Sequence, residues 1–88
     1  MSIAANVAGL MAEQARLTVA VDRTAEAMGS AIAEMALAIR EHGEGSVEAL
    51  AAEARADALF EEGERIAARL VEIEAVLAAE TRPMAKAA

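Results

Sequence analysis

The chain of 88 residues contains no cysteine, tryptophan or tyrosine, and only one phenylalanine, one proline and one histidine. Without cysteine, disulfide frameworks and thiolate metal sites are excluded. Basic residues are few and scattered: Arg16, Arg23, Arg40, Arg55, Arg65, Arg69, Arg82 and Lys86, against 15 acids, for a net charge of −7. Nucleic-acid binding needs clustered Lys and Arg to displace counterions from phosphates, so this balance excludes a general nucleic-acid binder. Uninterrupted apolar runs are short, such as Met35 to Ile39 and Ala75 to Ala79. A membrane span needs roughly 20 such residues, so none is expected. The first basic residue is Arg16, so no ordinary secretory leader is read at the N-terminus and the expected location is cytoplasmic.

What the chain has in abundance is alanine and acid. Apolar residues make up 57%, much of it Ala, which forms helices well and carries little hydrophobic area. The punctuation is a single break, Gly43-Glu44-Gly45-Ser46. Gly43 suits the left-handed residue that follows a helix, and Ser46 suits the N-cap of the next one. Glu48 then complements the positive end of that helix. The pattern predicts one domain over residues 1–80: a helix over 3–42 with Ser2 as N-cap, a turn over 43–46 and a helix over 47–80. Thr81-Arg82-Pro83 stops the second helix, since the residue before proline avoids helical geometry. Residues 81–88 are then a tail, frayed from Met84 onward.

Both segments carry a heptad. In the first, the spacings of four and three run Ile3, Val7, Leu10, Gln14, Leu17, Val21, Thr24, Met28, Ala31, Met35, Ala38, His42. In the second they run Ala49, Ala52, Ala56, Leu59, Gly63, Ile66, Leu70, Ile73, Leu77. A repeat sustained over this length predicts coiled-coil packing, and a short break makes the two helices antiparallel neighbours. The fold class expected is therefore all-α, an antiparallel helical hairpin. Counting outward from the turn places residue i opposite 89 − i. That register seats Phe60 near Gly29 and brings Glu74 toward Gln14.

The seam does not account for all the apolar positions. Met11, Thr18, Ala25, Ile32 and Ile39 form a flanking column on the first helix, and Val47, Leu50, Phe60, Val71 and Val76 are surplus on the second. A two-helix hairpin cannot cover both sets, and exposed patches of that size are unusual in monomers. Dimerisation into a four-helix bundle is expected, with Met11, Ile32, Ile39, Phe60 and Val71 at the interface. Another protein covering the same face is the alternative.

The charge is lopsided. Residues 43–80 hold ten acids and three arginines, while residues 1–42 hold five acids and three arginines. Glu53, Asp57, Glu61 and Glu64 recur at helical spacing and read as an acidic stripe, with Arg65 and Glu72 each in reach of an oppositely charged neighbour, Glu61 and Arg69 respectively. Such a stripe keeps an apolar bundle soluble, or docks on a basic partner. Catalytic and metal chemistry lack their parts. His42 ends a helix, where a cationic ring suits the dipole, and no Glu-x-x-His pair precedes it. The Gly-Glu-Gly turn would set a carboxylate against any phosphate. No acid, base and nucleophile come together, so no enzyme and no cofactor are expected. The functional expectation is a self-associating interaction or assembly module that also docks another protein. The alternatives are a small acidic inhibitor or mimic occupying a basic site, and a hairpin subunit exported without a leader, although the turn has no Trp-x-Gly signature.

Overall fold

Two glycines make the reversal. Gly43 (φ 91°) and Gly45 (φ 77°) both take left-handed backbone, which L-residues with a Cβ avoid. The Gly43 N–H donates to the Ile39 carbonyl at 2.8 Å, closing the first helix with the single bond of an αL motif. The Ser46 N–H donates to the Gly43 carbonyl at 3.3 Å. The Ser46 hydroxyl accepts from the Ala49 N–H at 3.1 Å, the bond an N-cap serine makes to its third helical residue. This computed structural model describes residues 3–80, with side chains from Asn6 onward. The Ser2 cap, the stop at Thr81–Pro83 and the tail lie outside the described residues.

Helix α1 is Ile3–His42 and helix α2 is Val47–Glu80. They pack side by side as a hairpin 66 Å long, 24 Å wide and 15 Å thick. Arg40 stands in the last turn of α1 and Glu48 in the first turn of α2, each of the sign the helix dipole favours, and His42 is the last residue of α1. His42 is exposed, its Nε2 3.9 Å from a Glu41 carboxylate oxygen, rather than part of the seam.

From Val7 to Ala38 every seam position of α1 is half-buried or buried, and so is every seam position of α2. Ala31, Ala49 and Ile73 are the fully buried apolar residues among those described. Small residues fill the end of the core near the turn, and the one large buried side chain, Ile73, sits toward the far end.

The register differs from the count made at the turn. A Cβ on Gly63 would lie 3.6 Å from Thr24 Cγ2, so Thr24 faces Gly63 and residue i sits opposite 87 − i. The reason is packing: only that offset sets every seam residue of α1 from Leu10 to Ala38 on a seam residue of α2. An offset of 89 would put Thr24 opposite the exposed Arg65. Phe60 consequently does not seat on Gly29, where a Cβ would meet nothing within 4 Å. Glu74 is exposed, one residue past the buried Ile73, and does not join Gln14 in the seam.

The glycines give a paired expectation. At Gly63 a methyl group meets ordinary van der Waals contact and the backbone is helical, so Gly63→Ala should gain about 1 kcal/mol of helix propensity. Gly43→Ala should lose roughly 1–2 kcal/mol, because alanine is strained at positive φ. Thermal unfolding followed by circular dichroism should show the first variant melting several degrees above the parent and the second below it.

Candidate functional site

The two edges of the hairpin are chemically unlike. Along one edge, α1 offers Glu13 and Glu34 and α2 offers Arg55 and Arg69. The Arg69 guanidinium donates to both Glu13 carboxylate oxygens, Nε to Oε2 at 2.7 Å and Nη2 to Oε1 at 2.9 Å. It also donates to Glu72, one turn along its own helix, at 3.1 Å. Arg55 donates to Glu34 at 2.5 Å. These bonds join the helices side to side across one flank of the seam. The bidentate Arg69–Glu13 pair is the geometry in which an arginine gives most direction to a contact.

The hydrogen bonds from Arg69 hold the Glu13 carboxyl below the ordinary glutamate value of 4.5, and the same bonds raise Arg69 further. A depressed acid stabilises the fold fully above its unfolded value and loses that contribution as pH falls through its folded value. The Glu13→Gln variant should therefore melt below the parent at neutral pH, and the gap should narrow as pH drops below about 4. Melting curves at pH 7, 5 and 3 would measure it; a gap that stays constant would show that the pair does not titrate as described.

Among the described residues, the opposite edge has no such bonds. Here the heptad sets Met11, Thr18, Ala25, Ile32 and Ile39 of α1 beside Glu53, Phe60, Ala67 and Glu74 of α2. Met11, Ile32 and Phe60 are exposed to 57%, 49% and 56%. Ile39 is half-buried, so part of its area is already spent within the hairpin. Val71 and Leu50 lie in the next lane outward on α2, both exposed. The Thr18 hydroxyl donates to the Gln14 carbonyl at 2.8 Å, so the one polar group of the α1 column is satisfied by its own helix.

Midway along this open edge is a hollow of about 250 Å³. Val21, Thr24, Ala25 and Met28 line it from α1, and Leu59, Phe60, Gly63, Glu64 and Ala67 from α2. Gly63 contributes no side chain to the hollow. The glycine beside the hollow is Gly63, which matching seam to seam places opposite Thr24, and not Gly29.

All four residues of the expected acidic stripe are exposed. Glu53, Asp57 and Glu64 lean to the open side by heptad position, while Glu61 faces outward. None lies within ion-pair distance of a cation among the described residues, and Arg65 leaves Glu61 unbonded. Sequence reasoning missed two further exposed apolar residues, Val19 and Leu37, which lie off both columns and face outward or toward the ion-paired side. Among the described residues, no helix is long and apolar enough to cross a membrane. No family model matches the chain, and neither a curated protein nor a solved structure matches it significantly.

Proposed function

We propose that this chain is a non-enzymatic protein–protein interaction module, an acidic helical hairpin that self-associates through its open edge into a four-helix bundle. The supporting observation is the asymmetry of the hairpin. Ion pairs close one flank, while Met11, Ile32 and Phe60 stand about half exposed on the other. A stripe of that kind is covered in bundles by a second helical layer. Coupling of folding to association makes stability depend on chain concentration. The melting temperature should rise with concentration from micromolar to near-millimolar, and should persist in 0.5 M salt, where the screening length is only ~4 Å. A melting temperature independent of concentration would remove the self-association.

A second reading rests on Glu53, Asp57, Glu61 and Glu64, which are exposed and unpaired among the described residues. A small acidic inhibitor or mimic would present them to a basic site on another protein. That binding would weaken sharply with salt, whereas an apolar interface would not.

A further inference from the structure

We propose that the open edge takes a basic amphipathic helix of another protein, laid along the hairpin with its cations against α2. The proposal rests on the reading of that edge as a protein interface. It names the occupant the edge prefers, since a second copy would bring its own acids and no cation to it.

The floor of the edge is apolar. Met11 and Ile32 of α1 and Phe60 and Val71 of α2 are about half or more exposed, and the hollow opens midway along them. An amphipathic helix lies in such a groove through apolar residues at positions i, i+3, i+4 and i+7. The hollow, lined by Val21, Met28, Leu59 and Phe60 among others, can seat one large apolar side chain of that helix. Anchors of this kind carry most of the affinity of an interface.

The charge of the hairpin is sorted between its two sides. By heptad position, Glu53, Asp57, Glu64 and Glu74 border the open edge from α2, and all four are exposed. Glu64 also lines the hollow. The matching lanes of α1 hold one charge, Asp22, and no cation stands in the lanes of either helix. Arg55 and Arg69 are bonded to Glu34 and Glu13 on the opposite flank. Arg16, Arg23 and Arg65 fall by heptad position on that same far side.

This sorting selects the occupant. A helix without cations would desolvate the carboxylates of α2 with nothing to neutralise them, and unpaired covered charge is costly. A helix with lysine or arginine on the flank next to α2 pairs them at the rim, where complementary charge speeds encounter and rejects wrong partners. The wall from α1 is nearly neutral, so the helix is basic on one flank and not on both. Glu53 to Glu74 spans about 31 Å at 1.5 Å per residue, which a helix of about six turns matches.

The chain has no tryptophan, so a peptide that carries one gives an unobscured fluorescence signal. The probe is a synthetic helix of about 24 residues, with a leucine stripe, one tryptophan central in it and lysines along one flank. Its emission should shift to shorter wavelength on titration with the chain and saturate at one peptide per chain. Light scattering should then give the mass of one chain plus one peptide, because the peptide displaces any second copy. Binding should weaken between 0.15 M and 0.5 M salt, as the screening length falls to ~4 Å. The double variant Asp57→Asn, Glu64→Gln should weaken it about threefold to tenfold. The matched double variant Glu26→Gln, Glu61→Gln, on the outward lanes, should leave it unchanged.

Equal weakening by the two double variants would overturn the placement on the open edge. Equal binding of a peptide with glutamates for lysines, or of a lysine peptide with its leucines scattered, would overturn the stated chemistry. A lysine peptide that fails to bind, or that binds while the chain stays a dimer, would leave the edge to the second copy and overturn the proposal. The mass of the chain without peptide reads self-association by itself. A chain that is single alone and takes one peptide loses that reading and keeps this one, so the two failures are distinguishable.

Discussion

Ile32→Glu is expected to break the assembly while leaving the hairpin folded. Ile32 is 49% exposed in the single chain, on the side away from the ion pairs, so a glutamate there meets water in the monomer. In the proposed dimer the same position would be covered in both copies. Each isoleucine has about half its surface left to bury, so losing two removes roughly 1.5–3 kcal/mol of apolar burial, and a covered carboxylate adds a desolvation cost. Each 1.4 kcal/mol is a factor of ten in the dissociation constant, so an increase of at least about a hundredfold is expected. Helical content at high concentration should change little. Sedimentation equilibrium over a range of loading concentrations would measure the constant, and an unchanged value would place the interface away from Ile32.

Ile73→Ala should act on the fold itself. Ile73 is the one large side chain with no exposure among the described residues, and it is held at the far end of the hairpin from the turn. Removing a buried isoleucine down to the β-carbon costs about 2–5 kcal/mol, because the lost burial is joined by a cavity that the surroundings fill only in part. In a chain of this size each kcal/mol moves the melting temperature by about 4–8 °C, so a fall of more than 10 °C is expected. The neighbouring Glu74→Ala should do far less, since Glu74 is exposed. If both variants melted alike, the core would not be organised around Ile73.

The hairpin was legible because its signals are local and agree with one another. Gly43, Gly45 and Ser46 announce a reversal through backbone geometry and capping, and two uninterrupted heptads announce which stripe is covered. Those signals depend on spacing along one helix, which a sequence displays directly. Register was harder because it depends on two helices together. Counting from the turn treats the loop as a symmetric hinge, and it misplaced Phe60 and Glu74. Seam residues must meet seam residues, and that requirement, readable from the same two lists of positions, gives Thr24 opposite Gly63. The ion-paired flank was only half visible. Arg69 and Glu72 are three apart on one helix, but Arg69 and Glu13 are 56 residues apart and meet only once the heptads are laid antiparallel. The open edge follows from the same construction, since it is the flank where that pairing leaves Met11, Ile32 and Phe60 without charged partners. What covers the edge is a property of two molecules and is the part that one sequence expresses least.

Two copies are proposed to close the open edge by apolar packing. Light scattering after size exclusion, with refractive-index detection because the chain lacks tryptophan and tyrosine, tests it most directly. At low micromolar concentration, the account predicts a mass near 18 kDa, twice the 9.1 kDa of one chain, in both 0.15 M and 0.5 M salt. A mass near 9 kDa in both would contradict it.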